Sequence, residues 1–95
     1  MVMETVNGKV YTLKLISGEE IVTRFEYGAG SATHDIIKKP MLLAMGPQGF
    51  GMMPWALSAD ENKNIQLLKS AIVAIVETSE MVAKQYLKQV TGLTV

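Results

Sequence analysis

The chain contains no cysteine and a single histidine. Disulfide scaffolds, thiol nucleophiles and cysteine-based zinc sites are therefore excluded, and one chain cannot build an all-histidine metal site. Charge of one sign is also lacking, since nine Lys plus Arg balance nine Asp plus Glu. The protein is neither a polycationic nucleic-acid coat nor an acidic tail. The longest uninterrupted apolar run, Ala71 to Val76, is far shorter than the ~20 residues of a membrane span. Residues 1–5 show no basic region followed by an apolar core, so they do not read as a signal peptide, and a cytoplasmic location with no membrane partner is expected. Charged residues are few as well, at 19% against about 25% in an average domain, while 48% are hydrophobic.

What is present fits one small domain. A chain of 95 residues supports a single core and leaves much surface to cover. With so few charges, a lone subunit would expose apolar side chains, and burial against further copies is the simplest remedy. Self-association is therefore expected.

Alternating apolar residues predict strands at about 9–16 (Tyr11, Leu13, Leu15) and 20–27 (Ile21, Thr23, Phe25, Tyr27), joined at Ser17-Gly18 into a hairpin. Residues 28–34 are small and polar and read as a loop. A third strand is expected at about 35–45, where Pro40 implies an edge, a bulge or a bend. Further strands are expected at about 50–57, 64–69 and 71–77. The run Ile72 to Val76 is apolar on both faces and predicts burial on both. Only Lys69-Ser70-Ala71 separates the last two strands, with no hairpin signal, so the chain should turn a corner there rather than reverse. A helix is predicted at about 79–91, capped by Thr78 or Ser79 and ended by Gly92. Val82, Tyr86, Val90 and Leu93 form its apolar stripe, and Glu80 and Lys84 form a favourable pair. Five or six strands and one helix predict a mainly β domain: a small barrel whose mouth the helix covers.

Catalytic patterns are weak. His34 has only Asp35 beside it in sequence, and neighbours in extended chain point to opposite faces, so a Ser-His-Asp arrangement is not predicted. Gly28-Ala29-Gly30 lacks the Gly-Lys-Ser/Thr and the following helix of a phosphate loop. Glu19-Glu20 reads as a solvated turn, Lys38-Lys39 as a solvated strand that could meet phosphates, and Met52-Met53-Pro54-Trp55 as packing or a subunit contact. No catalytic residue, cofactor or metal is predicted, and the protein is not expected to be an enzyme.

Two segments carry a family resemblance. The first is Leu13-Lys14-Leu15-Ile16-Ser17-Gly18-Glu19-Glu20-Ile21-Val22-Thr23-Arg24-Phe25, and the second is Leu68-Lys69-Ser70-Ala71-Ile72-Val73-Ala74-Ile75. In this order they resemble the paired motifs of the Sm-like superfamily, nearest its bacterial RNA-chaperone branch, and imply a bacterial or phage-encoded member. Thr23 stands where most members have a second glycine, and Ser70 where the bacterial branch usually has histidine. The helix is C-terminal rather than N-terminal, and residues 46–64 form a long insertion.

The resemblance implies a strongly bent SH3-like barrel of the Sm type with a C-terminal capping helix. It implies a homo-oligomeric ring in which the strands at about 64–69 and 71–77 pair between copies. It also implies binding of single-stranded RNA, or DNA, at the central pore. Lys69 would meet base or phosphate, Ser70 would hydrogen-bond a base edge or backbone, and His34 would stack on a base. Zero net charge favours the alternative of a structural or protein-interaction ring with no nucleic-acid role.

Overall fold

A computed structural model describes residues 9–26, 28–60 and 62–91. It contains one six-stranded antiparallel sheet and a single helix at its C-terminal end. The strands are β1 (Val10–Leu15), β2 (Glu20–Phe25), β3 (His34–Gly46), β4 (Gly49–Pro54), β5 (Ile65–Leu68) and β6 (Ile72–Glu77), and the helix α1 is Glu80–Thr91. The sheet order is β4-β3-β2-β1-β6, with β5 also paired to β3. Tyr27, Gly92 and Leu93, all assigned roles by the sequence pattern, lie outside the described residues. Among the described residues no helix is long and apolar enough to cross a membrane.

The β1–β2 hairpin forms where the alternation places it. The Gly18 N–H donates to the Leu15 carbonyl at 2.9 Å, and the Leu15 N–H donates to the Glu19 carbonyl at 2.9 Å. Gly18 has a φ of 95°, which a side chain would strain. The alternation then divides the sheet into two faces. Tyr11, Leu13, Leu15, Ile21, Phe25, Ile37 and Leu67 form the main core on one face. The Tyr11 and Phe25 rings meet edge to face at 5.5 Å, a contact worth about 0.5–1.5 kcal/mol beyond its buried area.

On the opposite face Val10, Val22 and Met41 pack with Tyr86 of α1. Of the predicted helical stripe, Val82, Tyr86 and Val90 pack on this face, and Ala83 and Leu87 join them. Its location corrects the expected barrel mouth: the helix covers the outer face around the middle of β2 and β3. This follows from the sheet itself, because Val10 and Val22 are apolar at positions that alternate away from the main core and require a second cover. The helix begins after Ser79, whose carbonyl accepts from the Ala83 N–H at 2.8 Å. Thr78 does not cap it; its hydroxyl is 2.8 Å from that of Thr12.

Strand β3 bends where Pro40 interrupts the ladder. Val22 pairs with Met41 and Arg24 with Lys38, so Lys39 and Pro40 together oppose Thr23. Lys39 adopts a φ of 46° in this bulge. The Thr23 hydroxyl donates to the Lys38 carbonyl at 2.8 Å, and the Tyr86 hydroxyl lies 3.1 Å from the Lys38 carbonyl and 2.8 Å from that of Lys39. Below the bend, His34 to Ile37 pair with β5; above it, Met41 to Gly46 pair with β4.

The corner predicted at Lys69-Ser70-Ala71 is a 3-10 turn. It carries the chain from β5, on β3, to β6, on β1. Three residues span that distance, so the sheet curls until these two strands are near neighbours, yet they do not pair and the sheet stays open. Burial of β6 on both faces is not observed: Val73 and Val76 are 66% and 58% exposed. Strand β6 pairs only with β1, and no described residue covers Val73 and Val76. Two further expectations change. The strand at 50–57 stops at Pro54, and Glu19 is not merely solvated, because its carboxylate accepts from Ser17 Oγ at 2.7 Å and from Trp55 Nε1 at 3.2 Å.

Candidate functional site

His34 is far in sequence from Lys69 and Ser70, and the fold brings the three to one end of the sheet. The loop before β3 is built from small residues that hydrogen-bond their own backbone. Ser31 Oγ accepts from the His34 N–H at 3.1 Å, and the Ser31 N–H donates to the His34 carbonyl at 2.8 Å. A Cβ on Gly30 would lie 2.8 Å from that same carbonyl, so the turn requires glycine there. The loop delivers His34 onto β3 opposite Leu68, and the Lys69 N–H donates to the Thr33 carbonyl at 2.8 Å. From the other side the Ile16 N–H donates to the Ala71 carbonyl at 2.7 Å. The corner is thus clamped between the loop before β3 and the β1–β2 turn, and Lys69 and Ser70 are both exposed on it.

The side chains differ in readiness. His34 is half-buried, and its Nδ1 is 2.9 Å from Thr33 Oγ1, which orients the ring. The Ser70 hydroxyl makes no hydrogen bond with any described residue, so it is available as donor and acceptor. Lys69 is not a bare cation: its Nζ is 4.0 Å from Asp35 Oδ1. Asp35 is a charged neighbour of Lys69 that motif reading missed. Its pairing with Leu67 puts it one step along the ladder from His34 opposite Leu68, a cross-strand relation that adjacency to His34 alone does not disclose.

The arrangement offers a cation balanced by a carboxylate, an oriented imidazole and a free hydroxyl. Such groups can hydrogen-bond and stack on a base; they are a weak clamp for phosphate alone. The other predicted lysines are engaged internally. Lys38 pairs with Glu26 at 2.7 Å, and Lys39 donates to the Val90 carbonyl at 3.2 Å. Of the Met-Trp cluster, Met52 packs beneath the helix and Trp55 against the main core, while Met53 is exposed. Among the described residues no three histidine or acidic side chains gather as a metal site would need. No protein-family model matches the chain, and no curated protein is similar to it.

Proposed function

We propose that the chain is a subunit of a closed homo-oligomeric ring of the Sm type, and that the ring binds single-stranded RNA, or DNA, around its centre without catalysis. The observation that supports this best is the convergence of Lys69, Ser70 and His34 on one clamped corner. The bend in β3 and the 3-10 corner suit a strongly curved SH3-like barrel. Among the described residues, strands β5 and β6 each pair with one neighbour, leaving a free edge beside exposed Leu68, Val73 and Val76. Pairing β5 of one copy with β6 of the next would remove both edges and cover those side chains. Each copy then contributes one Lys69-Asp35-His34 set, and weak contacts to one strand add through avidity.

A second reading, a ring that binds protein rather than nucleic acid, is favoured by two observations. Asp35 offsets the Lys69 charge. Residues 40–59 contain no charged side chain, and within them Met45 and Leu57 are 79% and 73% exposed. Native mass spectrometry with U-rich and A-rich oligonucleotides separates the readings. A discrete ring binding one strand is expected; a ring indifferent to either strand supports the second reading, and a monomer refutes both. Lys69→Ala should lower the salt slope of binding by about one unit per lysine engaged.

A further inference from the structure

A groove of about 410 Å³ lies between the last turn of α1, the bend of β3 and the segment following β4. That volume is in the ~300–1,000 Å³ range of small-ligand sites. Its apolar lining comes from Pro40, Met41, Pro54, Ile65 and Val90. Its polar lining is Lys39, Lys63, Asp60 and Gln89. The loop that carries Asp60 and Lys63 is held by its own turns. Asp60 Oδ1 accepts from the Asn62 N–H at 2.9 Å, and the Lys63 N–H donates to the Asp60 carbonyl at 3.0 Å.

The distribution of charge singles this groove out. Of the nine basic residues, Lys9, Lys14, Lys38, Lys69 and Lys84 pair with described carboxylates. Arg24 lies 6.0 Å from the centre of the Tyr86 ring. Three lysines remain without a carboxylate among the described residues: Lys39, Lys63 and Lys88. Two of these three line the groove. Lys39 does so from a left-handed backbone conformation that a lysine adopts only at a cost, and commits one of its three N–H donors to the Val90 carbonyl.

We propose that the groove binds a nucleotide whose base carries an exocyclic amino group. The base would lie on the Pro40, Met41, Pro54 and Ile65 surface, where the Met41 sulfur also favours an aromatic ring. The amino group would donate to Asp60, the Gln89 amide would meet a second position on the base edge, and Lys63 and Lys39 would hold the phosphate. An aliphatic anion fits less well: its head group would use the lysines, leaving Asp60 as a repulsive neighbour and Gln89 idle. The site is separate from the Lys69 corner and does not depend on ring formation. Its ligand is either a free mononucleotide or one residue of a strand.

The test is an NMR shift titration of the full chain with AMP, GMP, CMP, UMP and inorganic phosphate. Saturable shifts at Lys63, Gln89 and Val90 are expected with AMP, GMP and CMP, with UMP at least about threefold weaker and phosphate weaker still. Lys63→Ala should weaken AMP binding roughly tenfold, the effect of one charged hydrogen bond at an accessible site. Gln89→Leu should narrow the preference over UMP, and Ala59→Phe, at an exposed position, should block the groove without unfolding the chain. Lys14→Ala, outside both sites, should leave the shifts at Lys63, Gln89 and Val90 unchanged. Titration with short A-rich strands then assigns the source: tighter binding than AMP points to a strand, and equal binding to the free nucleotide. The proposal is overturned by absence of saturation into the millimolar range, by equal binding of phosphate alone, or by binding that Lys69→Ala abolishes and Lys63→Ala spares. That last outcome would leave the corner site intact and remove only the groove.

Discussion

Thr23 and Tyr86 share one acceptor, so their hydroxyls should be energetically coupled. The Lys38 carbonyl is 2.8 Å from the Thr23 hydroxyl and 3.1 Å from that of Tyr86, and Tyr86 alone of the two reaches the Lys39 carbonyl, at 2.8 Å. Thr23 and Tyr86 are both fully buried. The near-isosteric changes Thr23→Val and Tyr86→Phe remove each hydroxyl without opening a cavity. Thr23→Val should cost about 0.5–1 kcal/mol, because Tyr86 still serves Lys38. Tyr86→Phe should cost about 1–2 kcal/mol, because Lys39 loses this donor at a buried bend. In the double variant the Lys38 carbonyl loses both side-chain donors, so the loss should exceed the sum of the singles by about 0.5–1 kcal/mol. Urea unfolding followed by circular dichroism measures all four corners of the cycle. Additivity within about 0.3 kcal/mol would refute the shared-acceptor account.

Three further outcomes are expected. Burial holds the Tyr86 phenol above its ordinary value of 10.0, opposed in part by Arg24. The folded chain therefore keeps a proton that the unfolded chain releases, so stability is whole below about pH 10 and declines as pH rises beyond it. Tyr86→Phe should flatten that decline in alkaline urea titrations. Glu19→Ala removes the carboxylate that accepts from Trp55 Nε1, and the emission of this single tryptophan should shift to the red with a stability loss of about 1 kcal/mol; an unchanged spectrum would mean that Glu19 does not hold Trp55. Asp35→Asn removes the charge 4.0 Å from Lys69 and should raise low-salt affinity for a strand about fivefold, from about 1 kcal/mol at that distance in water. Fluorescence anisotropy with a labelled oligonucleotide measures it, and unchanged affinity would place the strand elsewhere.

Local structure was legible where one face of an element is buried by the chain itself. Period-2 alternation located β1 and β2, and the stripe around Tyr86 located α1. Prediction failed where a pattern has two physical readings. The run Ile72 to Val76 is apolar on both sides whether its second face meets the same chain or nothing within it, and periodicity does not distinguish the two. The helix position failed for a related reason. Val10 and Val22 are apolar residues that alternate away from the main core, and what covers them is a long-range choice. At the site, Lys69 and Ser70 were legible as a corner because the turn is local. Their meeting with His34 rests on the β3–β5 register, and the counter-charge of Asp35 on the same register; neither has a local signature.

The neutrality of the chain conceals an uneven distribution of charge. At the Lys69 corner the positive charge is matched by Asp35, so repeating the corner around a ring multiplies hydrogen-bonding and stacking groups more than potential. At the groove, Lys39 and Lys63 pair with no carboxylate among the described residues, so both can turn to a phosphate. If a strand engages both places, its salt dependence should come chiefly from the groove and its base preference from both. Lys63→Ala should then reduce the slope of log affinity against log salt more than Lys69→Ala does, by about one unit for each phosphate that the lysine had neutralised. The reverse order would assign the phosphates to the corner, and would mean that the Asp35–Lys69 pair opens when a strand binds.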